Sequence, residues 1–302
     1  LRDAADSELV GVCDVVEDNA QSLADEYGVG EVFTDLGEAL GKSTAEAVYV
    51  ATPVGLHVAH AVRALEAGKH VLVEKPLALN QAEIDAIIAA RAASDVFFQV
   101  GFNRRFAPLS IQAQQWLKAH AGPKFMVFRI NAGPVPSDSW IQNRDEGGGR
   151  ILGEVCHFVD LARYFADASI TSVQADTARI DGGAGDDVSA SLRFEDGSLA
   201  TIAYTSLGDA AHPKEWIEIY TGGNVVFIDN FRTLTITENG SAQKNSSSQD
   251  KGFAGSLKAF VDGENGGGPF IDENELIETS MATMAILDSL AAGGRIDLGA
   301  KS

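Results

Sequence analysis

Lys75 and His157 are the two side chains whose chemistry and setting suit proton transfer. Lys75 ends a stretch, residues 47–76, that reads AVYVATPVGLHVAHAVRALEAGKHVLVEKP. β-Formers at Val48–Val50 lead to a Thr52-Pro53 turn, an amphipathic segment over Val58–Ala67, a stop at Gly68 and a second strand over His70–Val73. Strand, helix and strand within ~30 residues make a right-handed parallel crossover. In open parallel sheets the ligand crevice lies beyond the carboxyl ends of the strands. Thr52, Pro53, His57 and Lys75 are therefore expected at one rim. An ammonium group there, followed by a proline, suits chemistry better than solubility.

His157 falls in a segment, Gly147–Ala166, that reads as one glycine-led helix. At about 100° per residue, Arg150, Gly153, His157, Asp160 and Tyr164 form a polar stripe, while Val155, Phe158, Val159 and Ala162 lie elsewhere. A histidine centred on such a stripe is expected to face a cleft, where imidazole is the default general base near neutral pH. The competing reading is a packed histidine bonded to a neighbouring acid.

Asp14 closes an apolar strand, ELVGVCD over Glu8–Asp14. Dinucleotide folds run strand, G-x-G-x-x-G, helix, strand and acid, with the acid about 20 residues past the glycines and gripping a ribose 2′-hydroxyl. Here the acid is present and the glycines are not: thirteen residues precede Asp14, whereas a first strand, phosphate loop and helix take roughly 30. The sequence reads as N-terminally truncated, lacking the amides that bind a pyrophosphate. Loss of a first strand would leave a gap in the sheet with unpaired edges. Asp14 at a ribose favours NAD over NADP; a strand-end acid in a turn is the alternative.

The elements that must position these groups follow in order. Helices are expected over Asn19–Tyr27, Leu36–Leu40 and Gln81–Ala93, the last capped by Asn80 with Glu83 at the capping-box position. Short strands are expected at Val32-Phe33 and Val96–Gly101, so strands and helices alternate as in a doubly wound parallel sheet. Beyond Pro108 the pattern changes. After a helix over Ser110–His120 come strands at Phe125–Ile130, Val173–Ile180, Val188–Phe194, Leu199–Thr205, Trp216–Thr221, Asn224–Ile228 and Thr233–Glu238, and helices at Gly255–Asp262 and Asn274–Ala292. Strands in series imply a mostly antiparallel sheet. Gly240–Ser248, rich in serine, reads as a surface loop. The expected fold is a Rossmann-like α/β domain over 1–107, then an α+β domain over 108–302 with a large, open, mostly antiparallel sheet.

A chain of 302 residues with 45% hydrophobic content has room for two cores. A formal charge of −20 argues against nucleic acid or an anionic membrane as partner. No apolar run approaches the ~18 residues of a membrane span. Cys13 and Cys156 read as buried free thiols of a reducing cytoplasm. The histidines show no metal-ligand spacing, so no metal is expected.

ATPVGLHVAHAVRALEAGKHVLVEKPLALN, then VGFNRRFAP, GGGRILGEVCHFVDLARYF, KGFAGSLKAF and the helix around Met281–Leu290, resemble the Gfo/Idh/MocA oxidoreductases. The resemblance implies an NAD(P)-dependent enzyme acting on a sugar, cyclitol or sugar-derived alcohol, its nicotinamide facing the open sheet of the second domain. Lys75 matches the family's active-site lysine, joined to Pro76 by an often cis peptide. Thr52, Pro53, His57 and Glu74 match positions along the cofactor, and Asn103 and Arg104 the block after the fifth strand. His157 is the expected general base. The family often has an aspartate four residues before it; this chain has Gly153, with Glu154 three residues before His157 and Asp160 three beyond. Glu154 is the favoured acid partner. Gly153, Asp160, Asn131, Trp140 and Arg150 are expected to line a sugar site, and relatives dimerise through the open sheet, implying a homo-oligomer. Two other readings stay open: glycosidic cleavage that uses bound NAD without net redox, and a non-catalytic sugar-binding relative.

Overall fold

The computed structural model describes residues 7–120, 122–135, 148–178, 187–267 and 270–299. The chain divides into two compact units, Leu1–Gly101 with Ala254–Glu273, and Phe102–Phe253 with Asn274–Ser302. The expected boundary at 107/108 falls near the first crossing but misses the return of 254–273 to the first unit.

In the first unit the expected alternation is found: β1 (Gly11–Cys13), α1 (Glu17–Tyr27), β2 (Glu31–Phe33), α2 (Leu36–Lys42), β3 (Ala47–Val50), α3 (His57–Glu66), β4 (His70–Val73), α4 (Gln81–Ala92) and β5 (Phe98–Val100). Local chemistry explains the boundaries. The Asp35 side chain caps α2 by accepting from Glu38 N at 2.8 Å. At α4, Asn80 Oδ1 accepts from Glu83 N, while Glu83 Oε2 reaches back to Leu79 N. α3 buries Val58, Ala61, Ala64 and Leu65 on its inward stripe.

The parallel strands form two small sheets, β1–β2 and β3–β4–β5, with the expected gap between them. In the larger one Val50, Val73 and Val100 are in register, so three strands end at one level. The returning segment adds Phe260 and Val261 to a cluster around Leu72. Each large apolar side chain buried this way contributes roughly 1.5–3 kcal/mol. Both cysteines are free, but Cys13, at the end of β1, is exposed rather than buried.

The second unit contains α5 (Pro108–Lys118), β6 (Phe125–Asn131), α6 (Cys156–Ala166), β7 (Ile170–Thr177), β8 (Val188–Phe194), β9 (Leu199–Thr205), β10 (Glu215–Thr221), β11 (Asn224–Asp229), β12 (Thr233–Glu238) and β13 (Ser241–Ser246). After α7 (Phe253–Glu264), most of which belongs to the first unit, come α8 (Glu273–Ala292) and β14 (Ile296–Asp297). Among the described residues nine strands form one sheet in the order β13-β12-β11-β10-β6-β9-β8-β7-β14. Only β6 and β9 run parallel within it.

Alternation aims Val188, Ala190, Leu192 and Phe194 of β8 inward, where they meet Phe158, Leu161 and Phe165 of α6. β13 corrects the loop expected over Gly240–Ser248. It pairs with β12 along its whole length although every side chain on it is exposed. Backbone pairing needs no apolar side chains, and a polar edge strand resists further pairing.

The expected continuous helix over Gly147–Ala166 also differs. Gly149 and Arg150 are helical, Ile151–Val155 is a π-helical turn, and the helix is α from Cys156 to Ala166. The wider turn shifts Arg150 and Gly153 out of the 100° phase that defined the polar stripe.

Candidate functional site

The rim of the three-stranded sheet carries Thr52 and Pro53 after β3, and Glu74 and Lys75 after β4. Lys75 is half-buried and joined to Pro76 by a cis peptide. Beneath it, His57 is 1% exposed and spans the two turns. Its Nδ1 lies 2.8 Å from the Pro76 carbonyl oxygen and its Nε2 lies 2.8 Å from the Thr52 carbonyl oxygen. His57 was expected along the cofactor; here both its ring nitrogens are engaged by backbone, and it ties the turn after β3 to the corner after β4.

Glu74 is engaged as well. Its carboxylate accepts from the Tyr49 hydroxyl and from Lys75 N. Burial, reinforced by the Glu74 charge, pushes the Tyr49 hydroxyl well above the ordinary phenol range. After β1, Asp14 N donates to Phe33 O, extending the β1–β2 pairing by one residue. Asp14 Oδ1 accepts from Val16 N at 2.8 Å, the turn role foreseen as the alternative. A carboxylate has a second oxygen with which to accept from a ribose hydroxyl.

In the second unit Asn103, Arg104 and Arg105 stand in and beside a short 3₁₀ turn, Arg104–Phe106. Arg104 makes a two-pronged contact with Glu215, Nε at 3.1 Å and Nη2 at 3.0 Å. Lys251 reaches the same carboxylate at 2.8 Å. Burial alone would raise the Glu215 carboxyl, but Arg104 and Lys251 outweigh it and hold the group below its ordinary value. Asn103 Nδ2 donates to Lys251 O, so Asn103 and Arg104 both anchor the segment that ends at Gly252. At Gly252, φ is +82° and a Cβ would lie 2.3 Å from Asn103 O, so only glycine fits. These two residues, expected at the cofactor, are tied into the interior of the second unit.

Asp160 is fully engaged by Arg105, which also reaches Glu275 at 2.8 Å. Burial would depress the Arg105 guanidinium, yet the two carboxylates hold it above its ordinary range. Arg150 donates from Nε to the Tyr204 hydroxyl at 2.8 Å and from Nη1 to Gly133 O at 2.7 Å. Of the expected stripe, then, Arg150 and Asp160 are committed to internal partners. His157 itself is 5% exposed on α6. Gly153 and Glu154 lie in the π-helical turn before it, and Glu154 meets Lys214 at 3.4 Å.

Asn131, at the end of β6, donates from Nδ2 to Asp209 O at 2.7 Å and to His212 O at 3.3 Å. It holds the loop leading to Lys214. Trp140 lies outside the described residues. That loop walls a cavity of ≈ 480 Å³ with His212, Lys214, Asp229, Asn230, Arg232 and Lys251 on its lining. Sequence reading missed Lys214, Glu215, Arg232 and Lys251. One signal was available: an acid, Glu215, in the same alternating position of its strand as the apolar Ile217 and Ile219. Among the described residues no group of three or more His, Cys, Asp or Glu side chains could hold a metal ion.

The donor set of the first unit fits a dinucleotide in two places: an acid after β1 suited to a ribose, and a level three-strand rim with a lysine suited to a nicotinamide. A parallel α/β unit followed by a unit with an open, mostly antiparallel sheet and packed helices defines an α/β plus α+β architecture. Comparison with known proteins agrees. Residues 1–102 match the oxidoreductase family with an NAD-binding Rossmann fold, and residues 124–223 match the GFO/IDH/MocA C-terminal domain.

Myo-inositol 2-dehydrogenase of Thermotoga maritima is 30% identical over 76% of this chain and 70% of its own length. D-xylose 1-dehydrogenase (NADP(+)) 2 of Haloferax volcanii is 24% identical over 98% of this chain and 93% of its own. Among solved structures, the aldose-aldose oxidoreductase of Caulobacter crescentus, complexed with glycerol, superposes with a TM-score of 0.83 over 97% of this chain and 92% of that one, at 22% identity. The chain belongs to the Gfo/Idh/MocA oxidoreductase family.

Proposed function

We propose that this protein is an NAD(P)-dependent dehydrogenase acting on a CH–OH group of a sugar, cyclitol or related alcohol. Lys75 and His157 are its acid–base residues. Two relatives support the substrate class by name, one an inositol and one a xylose dehydrogenase. The observation that carries the reading is the Lys75 corner: an ammonium-bearing side chain at the end of a central parallel strand, held by the His57 bridge.

A bound nicotinamide supplies the hydride acceptor. The remaining work is done by protein groups. The Lys75 ammonium stabilises the alkoxide that develops on the substrate oxygen, an electrostatic contribution made where charge appears only in the transition state. The His157 imidazole takes the hydroxyl proton during oxidation and returns it during reduction. Glu154, in the preceding turn and paired with Lys214, sets the charge beside it. Asp14 accepts from a ribose hydroxyl and disfavours a 2′-phosphate, so NAD is the preferred cofactor. Thr52, Pro53 and Glu74 line the cofactor at the rim.

A panel of sugars and cyclitols incubated with NAD⁺ or NADP⁺ tests this by reduced-nicotinamide absorbance. Turnover with at least one polyol is expected. Tight cofactor binding without reduction by any of them would sink the proposal.

A further inference from the structure

The ≈ 480 Å³ cavity in the second unit is built from three places distant in sequence: the loop 210–214, the turn 229–232 between β11 and β12, and residues 249–251. Its wall departs from the character of the chain. The sequence carries 43 acidic against 23 basic residues, yet the described lining has Lys214, Arg232 and Lys251 facing Asp229 as its one carboxylate. Of the neighbouring ion pairs, Glu154 partners Lys214 at 3.4 Å, which leaves Arg232 and Lys251 as the excess. Glu215 behind the wall already has Arg104 as a two-pronged partner, so Lys251 adds a second cation to a single carboxylate.

The surplus cations call for an anion.

We propose that this cavity receives the anionic group of the substrate, a carboxylate or phosphate carried on a polyhydroxylated molecule. The inference deepens the dehydrogenase reading and rests on it for treating the ligand as substrate. Arg232 clamps the anion with its planar fork, and Lys214 and Lys251 contribute point charge. Lys214 also links the cavity to Glu154, three residues before His157, so the charged end of the substrate lies next to the turn that precedes the proposed base.

Calorimetric titration of the intact chain with gluconate, glucuronate, glucose 6-phosphate and glucose tests this directly, without cofactor. At least one anion is expected to bind about tenfold or more tighter than glucose, as a charge-assisted contact gives. Preference for the sugar acids identifies a carboxylate, and preference for the phosphate a phosphoryl group. Arg232→Gln should abolish the preference and Arg232→Lys should keep most of it. Lys251 is a poorer probe, because removing it alters the buried Glu215 pair. Equal binding of glucose and the anions, binding of no anion, or a preference untouched by Arg232→Gln overturns the assignment. Anion binding that depends on Arg232, with no nicotinamide reduction by any compound, supports the cavity and defeats the dehydrogenase reading. Reduction by neutral sugars without anion preference does the reverse.

Discussion

His57 Nδ1 and the Pro76 carbonyl oxygen lie 2.8 Å apart across nineteen residues of sequence. With the matching contact from Nε2 to Thr52 O, this gives the Lys75 corner a support that is independent of any ligand. His57→Ala leaves the carbonyl oxygen served by the imidazole N–H without its donor in a site that is 1% exposed. The expected cost is about 1–3 kcal/mol of stability. His57→Gln, whose amide donates to one carbonyl, should recover part of it. Urea denaturation of the three proteins measures this, and equal midpoints would show that the bridge contributes nothing.

The Arg104–Glu215–Lys251 cluster has a definite pH signature. Glu215 is held below its ordinary value once Arg104 and Lys251 outweigh burial. A carboxylate depressed in the folded state contributes stability above its unfolded pKa and loses that contribution as pH falls through its folded value. The wild-type chain should therefore weaken on acidification below about pH 4.3, the unfolded glutamate value. Glu215→Gln should be about 3–5 kcal/mol less stable at neutral pH, because it strands two cations in the interior. Its stability should also vary less with pH in the acid range. A variant with an unchanged acid slope would remove Glu215 from this role.

Gly252 allows a sharp steric test. At φ +82° a Cβ would meet Asn103 O at 2.3 Å and Ala107 N at 2.4 Å, both backbone atoms that cannot swing aside. Left-handed strain of ~1–2 kcal/mol adds to an overpacking cost of ~1–3 kcal/mol. Gly252→Ala should lower the thermal midpoint by several degrees or prevent folding. A neutral result would show that the Asn103–Lys251 anchor yields freely.

Asp14 governs cofactor choice in this account. With Oδ1 occupied by Val16 N, the carboxylate is oriented by its own turn. Asp14→Ser removes the charge that repels a 2′-phosphate, so the ratio of kcat/KM for NAD over NADP should fall about tenfold or more. Steady-state kinetics with both cofactors decides it; a constant ratio would assign Asp14 to the turn alone.

The alternation that builds the first unit was legible because each strand and helix is bounded by its own punctuation, Asn80 and Glu83 at α4 among them. The meander of the second unit was legible from its period-two burial. Three features were hidden for physical reasons. The π-helical turn at Ile151–Val155 changes the phase of a helix without changing which residues are apolar. β13 is polar throughout, and hydrogen bonds between backbones leave no mark on side-chain pattern. Residues 254–273 rejoin the first unit through Phe260 and Val261 on Leu72, a long-range contact that no local spacing announces.

The site divides in the same way. Lys75 and His157 stood out by residue type and position. Lys214, Arg232 and Lys251 come from three separate turns, so their convergence depends on the β-sheet register rather than on spacing. Arg104 matched a family block, yet its side chain is spent on Glu215, which lies 111 residues away.

Hydride transfer assisted by Lys75 is tested most directly by reduced-nicotinamide formation in Lys75→Met beside wild type, with the substrate found by the polyol panel. The account predicts a fall in kcat of about 10²–10⁴-fold with an unchanged unfolding midpoint. A Lys75→Met enzyme turning over at the wild-type rate would contradict it.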